Sequence, residues 1–183
     1  MAIHVRSDMK VTTRQIPKWL RIPNTSIQSK PLMIYHEAFE ATASELSTQL
    51  EEVGDLAQAA ITPEWHYPLL SKDHFHSTTH SVLGVVSGRS RACFGGEQNP
   101  DRFETIIQRG DLIIIPAGVG HRLSQDLGIS DGPFELVLAY PLLKPWDICY
   151  GQPEDEEQVK NIQKVEWFQR DPLYGDDGPA LHV

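Results

Sequence analysis

The sequence predicts a mainly β chain, a sandwich or small barrel of short strands with one or two helices outside it. Three observations carry that reading. From about residue 63 onward, short apolar runs alternate with clusters of Gly, Pro, Asn and Asp, spaced roughly every 8–12 residues. Phe134, Leu136, Leu138 and Tyr140 alternate with Glu135, Val137 and Ala139, which marks one buried face. Residues 43–53 alone repeat their apolar positions at convincing helical spacing.

The elements follow in order. Residues 1–30 are polar with scattered prolines and read as an arm. Pro31–Tyr35 is an apolar run suited to a strand. In the helix over 43–53, Ser44 can cap the start, Leu46, Leu50 and Val53 share a face, and Gly54 can end it. Strands are expected at 73–77, 81–87, 89–95, 102–108, 111–115, 118–123 and 134–140, with a turn-rich loop from Gly95 to Asp101. The barrel or sandwich spans 31–145. Residues 146–183 form a tail rich in Pro, Asp, Glu and Gly, whose Trp146, Trp167, Phe168 and Tyr174 argue for docking on the body. The acidic run Glu154–Glu157 reads as solvated.

Length and charge narrow the function. At 183 residues the chain is one domain plus extensions, long enough to bury a core without disulfides. Sixteen basic residues against 25 acidic give a net charge of −9, which disfavours nucleic acid as the partner. Residues 1–30 hold six basic residues and one acid, and the remainder holds ten basic against 24 acidic, a balance of −14. The arm therefore reads either as a transit peptide or as a segment that folds onto the acidic body. Asp8, Pro17 and Pro23 favour the second. No run approaches the ~20 apolar residues that cross a bilayer. Cys93 and Cys149 read as buried thiols in a reducing compartment, the cytoplasm. Asn24-Thr25-Ser26 is a glycosylation sequon without a signal peptide to make it matter.

The histidines carry the chemistry. His66, His74, His76, His80 and His121 fall between residues 66 and 121. In a strand, His74 and His76 point to one face, about 7 Å apart at the backbone, and can share a metal ion. A third ligand can come from Gly110-Asp111-Leu112-Ile113-Ile114-Ile115-Pro116-Ala117-Gly118-Val119-Gly120-His121. There the Ile run is a buried strand, Pro116 stops the ladder, and Gly118 and Gly120 permit the turn that returns His121. Arg89 and Arg91 read as a solvated face, and Cys93 as an apolar filler rather than a nucleophile.

These residues resemble the two motifs of the cupin superfamily, small jelly-roll β-barrels. His74, His76 and Gly88 fall in register with the first motif, and Gly110, Pro116, Gly118 and His121 with the second. The opening Gly of the first motif is Pro68 here, and the trailing Asn of the second is Gln125. The runs His74–His80 and Val82–Val85, Gly95-Gly96-Glu97, Ile115–His121, Ala139-Tyr140-Pro141 and Asp171–Gly175 are similar to the uncharacterised YjlB-like group of cupins, over about residues 22–183. The resemblance implies a cupin barrel that binds a metal, with no established reaction. In the family a Glu supplies a fourth ligand, and Ser81 stands at that position. The implied ligand set is therefore His74, His76 and His121. His80 faces away by strand alternation unless the 77–80 turn brings it inward.

A neutral three-His set suits Fe, Zn, Ni, Mn or Cu, and its open positions can take water, dioxygen or a chelating substrate. The reading this favours is a metal-dependent enzyme acting on a small oxygen-rich molecule, either by oxidation or by Lewis-acid isomerisation, cyclisation or elimination. His80, His66 and Tyr140 are its candidate catalytic residues, with Phe75 a candidate pocket wall. The rival readings are a non-catalytic small-ligand or metal-binding cupin and a metal-free epimerase-type isomerase. Open sheet edges and the resemblance both point to a homodimer, with no nucleic acid or membrane partner.

Overall fold

In a computed structural model of the chain, residues 3–61, 71–127, 132–142 and 144–183 are described. The strands are β1 (His4–Val5), β2 (Lys10–Arg14), β3 (Leu32–His36), β4 (Phe39–Glu40), β5 (Leu56–Ile61), β6 (Ser81–Ser87), β7 (Arg89–Phe94), β8 (Phe103–Gln108), β9 (Leu112–Ile115), β10 (His121–Asp126) and β11 (Glu135–Pro141). The α-helices are α1 (Ala43–Glu52) and the short α2 (Glu156–Val159). Antiparallel pairing builds a six-stranded sheet in the order β2-β3-β9-β6-β11-β5 and a three-stranded sheet in the order β10-β7-β8, while β1 pairs with β4. The mainly β jelly-roll expectation therefore stands.

The space between the two sheets is filled by Leu32, Ile34, Leu83, Val85, Ile113 and Ile115 from the larger sheet and by Ala92, Phe94, Ile107 and Leu123 from the smaller. The outer face of the larger sheet is covered as well. Leu46 and Leu50 of α1 and Phe168, Leu173 and Ala180 of the tail pack there on Tyr35, Val82, Leu112, Ile114 and Val137. Burial on both faces explains why β3 and β9 are unbroken apolar runs rather than alternating ones. Gly84 lets α1 come close, since a Cβ there would lie 2.3 Å from Leu46 Cδ2.

Several boundaries move for local reasons. Helix α1 is capped by Thr42, not Ser44. The Thr42 hydroxyl accepts from the Glu45 N–H, and the Glu45 carboxylate accepts from the Thr42 N–H at 2.9 Å, a reciprocal box that a Ser at 44 cannot make. The strand expected over 73–77 is reduced to two bridges, because neighbouring residues pair with different segments. His74 pairs with His121, and Phe75 pairs with Cys149. The strand expected from 118 begins at His121, since Pro116–Gly120 are spent on the turn.

The arm folds back onto the body. Its β2 pairs with β3 at the edge of the larger sheet, and Ile16 enters the core between the sheets. Asn24 is buried, which explains the sequon as structure: its amide donates to Pro17 and Gly95 carbonyls and accepts from the Gly120 N–H. The tail docks through Asp171, whose carboxylate accepts from the Tyr35 hydroxyl at 2.7 Å and from the N–H groups of Leu173, Tyr174 and Ala180. Cys93 and Cys149 are free and buried. Among the described residues, no helix is long and apolar enough to cross a membrane.

Candidate metal centre

Three histidines meet at one end of the space between the sheets. His74 and His121 stand opposite each other across the bridge, joined by two backbone hydrogen bonds of 2.8 and 3.2 Å. Their ring centroids are 4.3 Å apart, and His76 lies 5.5 Å from each. One ring nitrogen from each of the three falls within 4.8 Å of the others, and all three residues are buried.

The hydrogen bonds decide which nitrogen faces inward. Each Nδ1 lies against a backbone carbonyl: His74 on Lys72 at 2.8 Å, His121 on Val119 at 2.9 Å, and His76 on Asp147. A carbonyl only accepts, so each Nδ1 carries the proton and each Nε2 keeps its lone pair for the cluster. Burial is the main force holding all three imidazoles neutral. It lowers His74, brings His76 down to about 4, and pushes His121 well below the usual range with help from its two neighbours. Three neutral, lone-pair-bearing nitrogens with fixed tautomers are a donor set that fits a divalent transition ion, and no proton must leave before one binds.

The surroundings grade from polar to apolar. Tyr140 Oη is 3.4 Å from His76 Nε2, and the rings meet edge to face at 5.4 Å. Burial raises the Tyr140 phenol well above its ordinary range, so it holds its proton. Trp146 stacks on Tyr140 at 5.9 Å and 12°, and is 51% exposed. Beyond His121, a cavity of about 20 Å³ is lined by Leu83, Ala92, Phe94, Ile107, Ile113 and Ile115, room for one water-sized group.

The other expected residues divide. His80 is buried but turned away from the cluster, as strand alternation requires. Its Nδ1 accepts from the Ala117 N–H at 2.9 Å, and its ring packs on Trp167 and Phe168 of the tail. Ser81 is on the opposite, inner face with Leu83. His66 lies outside the described residues. Phe75 is fully buried and packs with Ala117, Cys149 and Ile162, so it is core rather than pocket wall. Arg89 and Arg91 are exposed. Burial, then Asp73 and Glu104, push the Cys93 thiol up to about 11, which leaves it inert.

Sequence reasoning missed Asp147. Its carboxylate accepts from the Ser77 N–H at 2.7 Å and from the Thr78 hydroxyl at 3.1 Å, while its own carbonyl takes the His76 proton. Burial alone would raise that carboxyl, but the Ser77 and Thr78 hydrogen bonds outweigh it and hold the group below its ordinary range. Nothing in the run Pro145–Cys149 signals this role, because the contact spans 71 residues.

Comparison with known proteins gives the chain a family by sequence. A family model described as Cupin matches residues 70–123. The uncharacterised protein YjlB of Bacillus subtilis (strain 168) is 31% identical over 170 residues, which cover 89% of this chain and 90% of that protein. Among solved structures, the oxalate decarboxylase of Lactobacillus farciminis in its formate complex aligns over 82% of this chain and 33% of its own, at 13% identity and a TM-score of 0.36. The 11S globulin of Wrightia tinctoria aligns over 81% of this chain and 29% of its own, at 12% identity and a TM-score of 0.34. The chain thus spans about a third or less of the length of those two structures. Matched to YjlB over nearly its whole length, and carrying the two cupin histidine segments on facing backbones, the chain belongs to the cupin family, in the YjlB-like group.

Proposed function

We propose that this cupin is a mononuclear metal enzyme acting on a small oxygen-rich organic molecule. The observation that carries the reading is the shared tautomer: all three Nδ1 protons are spent on backbone carbonyls, and three Nε2 lone pairs converge. His74, His76 and His121 would hold the ion. When bound, a divalent transition ion supplies a Lewis acid that polarises a substrate oxygen.

The chain's own residues do the rest. The carbonyls of Lys72, Val119 and Asp147 fix the imidazoles. Tyr140 holds a proton at Oη beside the cluster and is the side chain placed to give it to a substrate oxygen, a role the sequence also offered to His80. His80 instead joins the core to the tail. The apolar wall excludes water, and Trp146 offers a flat, half-exposed face at the rim. The assembly we propose is a homodimer in a reducing compartment, and sedimentation of the full chain tests it.

The test of function uses the full chain loaded separately with Fe²⁺, Mn²⁺, Ni²⁺, Cu²⁺ and Zn²⁺. Hydroxy- and keto-carboxylates and β-diketones are offered with and without air, and oxygen uptake and product spectra are recorded. The expected result is turnover that chelation and His121→Ala both abolish. Saturable binding with no turnover in any form would assign a binding protein. Full activity after exhaustive chelation would assign a metal-free isomerase.

A further inference from the structure

We infer that Asp73 and Arg122 are positioning residues of the metal site. They form a charged cross-strand pair on the outer face of the His74–His121 bridge that, with Glu97, fixes the spacing of the two histidine-bearing backbones. This deepens the proposed function and rests on its metal site.

Register places the pair. The antiparallel bridge sets His74 against His121, so Asp73 and Arg122, one residue further along each backbone, stand opposite each other. Side chains alternate along extended backbone, so these two lie on the face away from the imidazoles. Arg122 Nε faces Asp73 Oδ1 at 4.0 Å. Both atoms are buried, and neither has a hydrogen-bond partner among the described residues. Each therefore depends on the opposite charge of the other. Fully exposed ion pairs contribute little, but these side chains are only 21% and 24% exposed and belong to a network.

One loop ties the pair together and ties it to the bridge. Gly95 and Gly96, both at positive φ, turn the chain after β7. The Glu97 N–H donates to Asp73 Oδ2 at 2.6 Å, and Arg122 Nη2 donates to Glu97 Oε1 at 2.7 Å. The Gly95 N–H donates to the Gly120 carbonyl at 2.6 Å. Residues 95–97 thus hold the residue before His74 and the residues on both sides of His121. The bridge needs that support. Beyond it Phe75 turns to pair with Cys149, so no ladder continues it on that side. On the other side the charged pair takes the ladder's place. The carbonyls of Lys72 and Val119 set the direction of each ring. The pair sets the distance between the backbones that carry them.

The test loads the full chain with Co²⁺ and reads its visible spectrum, with affinity from competition by a chelator. Arg122→Met keeps the apolar stem and removes the charge. Asp73→Asn keeps an acceptor for the Glu97 N–H and removes the charge. Charges acting only at a distance would give opposite results: losing the Asp73 anion would weaken a bound cation, and losing the Arg122 cation would tighten it. Positioning predicts that both variants bind cobalt about ten-fold more weakly or worse, with altered spectra at saturating cobalt. The double variant should be little weaker than the weaker single one, because both remove the same contact. Asn24→Ala, which loosens the turn before His121 without touching the pair, should keep the wild-type spectrum. An Arg122→Met variant that binds cobalt as well as wild type or better overturns the inference and leaves the metal site standing. So do wild-type spectra in both single variants, or losses that simply multiply in the double one. If Arg122→Met fails to fold, the affinity and spectrum of Asp73→Asn decide: a wild-type spectrum overturns the inference. Failure of the wild type to bind cobalt overturns the metal site itself, and the inference with it.

Discussion

His74 and His121 are oriented from close by, and His76 is oriented from far away. The first two give their Nδ1 protons to carbonyls two residues back in the chain, Lys72 and Val119. His76 donates its Nδ1–H to the backbone carbonyl of Asp147, 71 residues on, in a segment clamped by Ser77 and Thr78. Two of the imidazoles are thus set by local backbone conformation, and the third by how the tail closes on the barrel. The site is complete only when the C-terminal segment has docked.

The largest expected effect separates ligand histidines from their neighbour His80. Burial holds His80 down to about 4, while in the unfolded chain it titrates near 6.5. The unfolded state therefore binds more protons as pH falls. The stability His80 contributes is present above pH 6.5 and is lost as pH drops toward 4, on the order of 3 kcal/mol. With metal in large excess, protonation of the three cluster imidazoles is suppressed by competition, so the remaining acid loss should belong largely to His80. In His80→Asn the amide oxygen can still accept from Ala117. Urea melts of the metal-loaded chain from pH 7 to 4 should show a shallower acid limb in this variant, and an unchanged limb would place the sensitivity elsewhere.

Asp147→Ala tests the distant support directly. The carbonyl survives, but the clamp that positions it is gone. Metal affinity should fall about 10–100-fold in a competitive chelator titration, with about 1–3 kcal/mol lost in denaturation. Unchanged affinity would show that the tail does not orient His76. Asn24→Ala sharpens the other side. It removes the side-chain bonds to the Gly120 N–H and to the Pro17 and Gly95 carbonyls, keeps the backbone bond to Gly118 and leaves the Val119 carbonyl in place, so about 1–2 kcal/mol of stability should go with less than three-fold loss of metal affinity. The smallest effect is expected at Trp146, half-exposed on Tyr140: Trp146→Ala should cost under about 1 kcal/mol and leave metal stoichiometry intact.

The same local and distant division explains what the sequence revealed. Strands β6 to β9 and β11 were legible to within a residue or so, because alternation and turn residues are local signals. The clustering of His74, His76 and His121 was legible because the spacing of His, Gly and Pro encodes a turn. That His80 faces away followed from alternation alone. Strand β5, Leu-Ala-Gln-Ala-Ala-Ile, was missed because it is rich in Ala, a poor strand former, and its pairing with β11 supplies the reason it is extended. Asp147 and Asn24 were missed for a different reason. Each acts on a backbone segment 70 or more residues away, and nothing in its own neighbourhood records that partner.

The measurement closest to the central claim is elemental analysis by mass spectrometry of the purified, untagged chain beside His76→Ala. Convergence of three Nε2 lone pairs predicts close to one transition-metal ion per chain in the wild type and its loss in a folded His76→Ala variant. Less than a tenth of an equivalent in wild-type chain incubated with Fe²⁺, Mn²⁺, Ni²⁺, Cu²⁺ and Zn²⁺, or equal metal in both proteins, would contradict it.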